Sequence, residues 1–158
     1  MESVISSMIK YILKMYPYKS DLSTSRLTKI LYLADWKSSI ERDQQITNAK
    51  WHFNHYGPYV DDFLEIAKTD EDIEITTSTT QFGEKKRQIH LSKHFNKEIP
   101  ISTENKKIID FVINATKDKN YEDFIKLVYS TYPVISSSKY SDLDLPEKAK
   151  EYKSISSG

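Results

Sequence analysis

The four histidines of this 158-residue chain fall in two pairs with ligand-like spacing, His52 with His55 and His90 with His94. A metal centre needs three or four ligands converging on one point, and with no cysteine in the chain the rest would have to come from scattered Asp and Glu. The histidines are therefore assigned to partly exposed hydrogen-bonding roles, with no metal and no cofactor. Three unclustered glycines cannot build a loop whose amides cradle phosphate. No serine stands with a histidine and an acid in a nucleophile setting, and the serines sit where hydroxyls cap helices or decorate a polar tail. Asp61 and Asp62 can be drawn as paired catalytic carboxylates, but they equally suit the positive end of a helix dipole. Asp142 and Asp144 sit in a polar loop. The expectation is a non-enzymatic protein with no catalytic residue.

The elements that would position any site must come from one domain, since the length supports a single core. Basic and acidic side chains balance at 23 each, so the surface lacks a strong field for nucleic acid or an anionic membrane. Without cysteine there are no disulfides, which suits an intracellular protein. The start, "MESVISSMIKYILKMYPYK", interrupts its apolar residues with Lys10 and Lys14 and does not read as a signal peptide; nothing approaches transmembrane length. The expected location is cytoplasmic.

Apolar spacing predicts a first helix over 3–16 closed by Pro17, and a second opening at Ser23 or Thr24. In the second, Leu27, Ile30, Leu31 and Ala34 line the inner face, while Lys29, Asp35 and Lys37 take wetter sides. "QITNAKWHF" looks extended. Pro58 is placed in the first turn of a third helix running to about Lys68, where its missing amide would need no partner. Alternation of Ile73/Ile75 and Ile89/Leu91 about Gly83 predicts a β-hairpin. "STENKKIIDFVINATKD" and "NYEDFIKLVYSTYPV" predict two more helices, the first with a capping-box start. The expected fold class is mainly α (α+β): a single compact domain of about five to six helices with one small β-hairpin. Residues 1–135 form the domain, 136–152 a C-terminal extension packing loosely or as a short helix, and 153–158 a disordered tail.

Three helices followed by a hairpin tipped with "GEKKRQ" is also the order of a winged-helix DNA-binding regulator, with Lys85, Lys86 and Arg87 on the wing. The third helix would then read the major groove, yet it offers Asp61, Asp62 and Glu65 against Lys68, which phosphate repels. Nucleic acid is kept as an unfavoured alternative.

"RLTKILYLADW" at 26–36, "WHFNHYGPYVDDFLE" at 51–65 and "LVYSTYP" at 127–133 together resemble the Panacea domain, also called the SocA-like antitoxin domain. That family has a helix of the form KLxKLLYxAD, an aromatic segment leading into a YGPxxxxxYE-like helix start, and a VYxTYP helix end. The likeness spans roughly residues 5–135; Thr28 and Ile30 replace commoner family residues. It implies a non-enzymatic antitoxin that neutralises a protein toxin encoded by the adjacent gene, often on a phage or mobile element, in one type by delivering the toxin to a bacterial protease. An alternative within the same resemblance is a phage protein that inhibits a host defence protein.

A binding module should display aromatic hot-spot residues. The partner-binding candidates are Lys29, Tyr32, Asp35, Trp36, Trp51, Tyr56, Tyr59, Asp61 and Asp62. Trp51 and Tyr56 are expected to be core anchors, with indole N–H or hydroxyl paired to backbone or to Asp35. Trp36 and Tyr59, toward the edges of their helical stripes, are the candidates for exposure. Gly57 and Pro58 are read as a structural turn, Gly57 for positive φ or close backbone approach.

Overall fold

The computed structural model describes residues 3–55, 57–60, 62–79 and 81–156. Among the described residues there are seven helices and two small antiparallel sheets. Helix α1 (Val4–Met15) is capped by Ser3, whose Oγ accepts from the Ser6 amide at 3.1 Å. After a short 3-10 turn comes α2 (Thr24–Arg42), capped by Ser23 in the same way through the Arg26 amide. Strands β1 (Trp51–Asn54) and β2 (Gly57–Tyr59) then pair antiparallel, and α3 covers Asp62–Thr69. The hairpin β3 (Ile73–Thr79) and β4 (Lys85–Leu91) follows in an unbroken register from Ile73↔Leu91 to Thr79↔Lys85. Helices α4 (Thr103–Thr116) and α5 (Tyr121–Tyr129) are capped by Ser102 and Asn120. The chain closes with α6 (Tyr132–Ile135), β5 (Asp142–Leu143) and α7 (Leu145–Ser156).

Helix α2 is the axis of the fold. It packs against α1, α4, α5, α7 and both β2 and β4, so residues 26–36 are all buried. With neighbours on nearly every side, a helix has no solvent face to assign by period. Lys29 and Asp35 therefore do not take the wetter sides that the spacing predicted.

Three further expectations are corrected. Pro58 does not open a helix: it lies in β2 opposite Phe53, on the outer strand of the sheet β2-β1-β5, where a residue without an amide hydrogen is tolerated. A third strand arrives from the C-terminal region, where Leu143 pairs with Trp51 and Asp142 with His52. Within the expected C-terminal extension, a helix runs from Leu145 to Ser156, past the start of the expected tail at 153. It buries Leu145 and Ala149 and sets Tyr152 edge-to-face on Trp36 at 5.8 Å, so it is part of the core.

Candidate functional site

The three motifs that are far apart in sequence meet at two junctions on α2. At the first, the carboxylate of Asp35, 0 % exposed, accepts from the amides of Ile46 (2.9 Å) and Thr47 (3.0 Å), the Thr47 hydroxyl and the Trp51 indole Nε1 (3.0 Å). Of the two partners the sequence offers the Trp51 indole, backbone or Asp35, the structure shows Asp35. Burial pushes the Asp35 carboxyl up from its ordinary value, and the four donors pull against that rise. Trp51 stacks edgewise on Tyr32 at 5.5 Å and on Phe63 at 5.3 Å. The Tyr32 hydroxyl shares a 2.8 Å hydrogen bond with Thr131 of the third motif. Tyr32, Asp35 and Trp51 therefore join α2, the loop after it, β1 and the turn before α6, and all three are buried.

At the second junction Gly57 adopts φ +104°, and a Cβ there would lie 3.4 Å from the Tyr129 ring and 3.6 Å from Lys29 Cε. Both the backbone angle and the close approach favour glycine, as the sequence suggested, but in a strand rather than at a helix start. Lys29 is 3 % exposed. Its Nζ reaches Ser25 Oγ at 3.4 Å, and among the described residues no carboxylate pairs with it. Desolvation lowers its amine from 10.5 to about 8. Ser25 Oγ in turn shares a 2.6 Å hydrogen bond with the hydroxyl of the half-exposed Tyr121.

Trp36 is 8 % exposed rather than open, because Tyr152 of α7 covers it. Tyr59 is half-buried in β2, not on a helix. Tyr56 and Asp61 lie outside the described residues. Asp62 begins α3, and its side chain also lies outside what is described.

Two surface features were not found from sequence. One is an apolar groove of about 290 Å³ between α2, α4 and α5, lined by Leu33, Trp36, Ile40, Phe111, Ala115 and Leu127. Phe111 is 57 % exposed there, with Lys37 Nζ 3.8 Å above its ring. Its sequence signal is a phenylalanine off the Ile108/Ile109/Val112/Ile113 stripe of α4. The other is a cleft of about 640 Å³ between the hairpin tip and the starts of α2 and α5. The segment before α2 holds the hairpin there: the Ile89 amide donates to Leu22 O, and the Lys86 and Gln88 side chains donate to Ser20 O. The basic tip was visible in "GEKKRQ", but its docking beside α2 was not.

The histidines stay apart. His52 contacts Asp142 across β1 and β5, and His90 contacts Glu74 across the hairpin at 3.1 Å. Among the described residues no three His, Asp or Glu side chains come together as metal ligands, and no helix is long and apolar enough to cross a membrane.

No curated protein and no solved structure matches the chain. The family model described as "Antitoxin SocA-like, Panacea domain" matches residues 27–133, which include both α2 junctions and most of the apolar groove; the chain belongs to that family.

Proposed function

We propose that this protein is a non-enzymatic antitoxin that neutralises a protein toxin by direct binding, the toxin being the product of the adjacent gene and both acting in the cytoplasm. The observation that carries the proposal is membership of the antitoxin family over residues 27–133. The geometry supports it in two ways. Of the residues weighed for chemistry, His52 and His90 lie in separate surface pairs, with Asp142 and with Glu74. Within the family segment, the apolar groove beside Trp36 offers an exposed aromatic in a concave setting, the kind of place where interface energy concentrates.

The toxin docks on this groove through apolar side chains around Phe111. Co-expression tests the function: the neighbouring gene expressed alone should stop growth, and this protein should restore growth and co-purify with the product. Phe111→Glu should lose rescue by placing a charge in the apolar contact, while its melting temperature stays near that of the parent. A toxin that persists at full level in rescued cells indicates occlusion, whereas one that disappears in a protease-dependent way indicates delivery for degradation. Rescue without physical association would refute direct binding.

A further inference from the structure

The cleft between the hairpin tip and α2 concentrates positive charge on a chain whose net charge is zero. Lys85, Lys86, Arg87 and Lys119 line it with Arg26, against Asp21 and Glu84. Among the described residues Lys85, Arg87 and Lys119 make no ion pair. The N-terminal ends of α2 and α5 both open onto the cleft, through Thr24 and Ser25 and through Asn120 and Tyr121, adding the positive ends of two helix dipoles. Next to Ser25, which lines the cleft and hydrogen-bonds Tyr121, sits Lys29, more than nine-tenths buried, with the long contact to Ser25 as its polar partner. Arg26 is equally buried; its terminal nitrogens are taken up by Tyr16 and by backbone carbonyls of Thr116 and Lys119, but among the described residues its Nε has no partner.

A buried cation without an anion is costly, and proteins that keep one usually supply the anion from elsewhere. Helix ends and surface lysines alone would not define a site. A buried guanidinium that lines the cleft with its Nε unused, beside a buried ammonium whose polar contact is the cleft-wall hydroxyl of Ser25, does.

We propose that this cleft is an anion site that receives an acidic segment of the protein partner, one carboxylate entering beside Ser25 and Tyr121 to meet Lys29 while others contact Lys85, Arg87 and Lys119. The identity of the anion as a protein segment rests on the antitoxin assignment. A single projecting side chain suits a buried cation next to a cleft-wall hydroxyl, whereas a nucleic-acid backbone would also pass the exposed acids Asp118, Glu122 and Asp123 near the start of α5.

Binding of a fluorescein-labelled hexaglutamate peptide to the full-length protein, followed by anisotropy at low salt, tests the site. Lys29→Met and the double change Lys85→Glu/Arg87→Glu should each weaken binding about tenfold or more. The double variant changes exposed tip residues, so the test stands even if Lys29→Met misfolds. Peptide affinity unchanged in both variants would overturn the site, as would a short DNA duplex bound more tightly than the peptide with the same residue dependence. Growth rescue separates this from the antitoxin assignment. If both variants rescue as well as the parent, the cleft plays no part in toxin binding and the proposal fails. If the parent fails to rescue yet binds the peptide through Lys29, the anion site stands and the toxin is not its partner.

Discussion

Helix α2 carries two buried charges of opposite sign, and their surroundings treat them differently. Asp35 has four donors around it and ties the loop, β1 and α2 together. Lys29, near the other end of the helix, has one long contact to a serine. A buried polar group with its partners complete is part of the frame; one left incomplete is held at a cost in stability. Family motifs run through both places, so motif membership alone does not separate frame from function. Satisfaction of hydrogen bonds does.

The sharpest way to break the contrast is to remove the satisfied charge. Asp35→Ala strands two amides, a hydroxyl and an indole N–H, and should cost about 4 kcal/mol of stability, read from the urea midpoint. A variant as stable as the parent would erase the distinction. Lys29→Met should act in the opposite direction, gaining about 2 to 3 kcal/mol near neutral pH because it removes a desolvated cation. A clear loss on that substitution would place Lys29 with the structural charges.

The same difference appears in the pH dependence. The folded protein binds the Lys29 proton less tightly than the unfolded chain, so its penalty is complete below about pH 8 and is relieved as pH rises toward 10.5. Stability should therefore climb by about 2 kcal/mol between roughly pH 8 and 9.5. Above that, buried tyrosines reverse the trend: Tyr11 is raised to about 12 by burial and by Asp110, and Tyr16 and Tyr32 are raised by burial, so the unfolded chain loses those protons first. Lys29→Met should flatten most of the climb, leaving the smaller part due to Lys19, whose amine burial also lowers. A climb of the same size in Lys29→Met would assign it elsewhere.

Smaller effects mark the two junctions themselves. Gly57→Ala meets a positive φ and the Tyr129 ring, and should lose about 1 to 2 kcal/mol. Thr131→Val removes the partner of the Tyr32 hydroxyl and should lose about 1 kcal/mol. If Gly57→Ala proved the costlier by far, the Lys29 junction would be the stiffer of the two.

Much of the frame was readable in the sequence. Caps and apolar spacing locate α1, α2, α4 and α5, alternation locates the hairpin, and Asp35 is one of the two partners, with the backbone, that the sequence offers the Trp51 indole. The misses share a physical origin in long-range packing. Gly57-Pro58 followed by acids looks locally like a helix start, and only the pairing of Phe53 with Pro58 makes it a strand. Strand β5 is two residues long and has no alternation to detect. Lys29 and Asp35 were placed toward solvent because period assigns polar residues outward, a rule that fails for a helix enclosed on nearly all sides. The cleft and groove arise from elements distant in sequence, so their residues carry at most fragments of a signal, such as the basic hairpin tip.

The C-terminal helix has a further consequence. The family model matches residues 27–133, but the core extends beyond them: α1 supplies the fully buried Met8, Ile9 and Ile12, and β5 and α7 supply Leu143, Leu145 and Ala149. Detaching α7 would strip Tyr152 from Trp36, and detaching β5 would remove the strand beside Trp51, disturbing the groove without displacing any family motif. The stability of the groove is therefore coupled to how firmly α7 is held against Trp36, outside the segment that the family model matches.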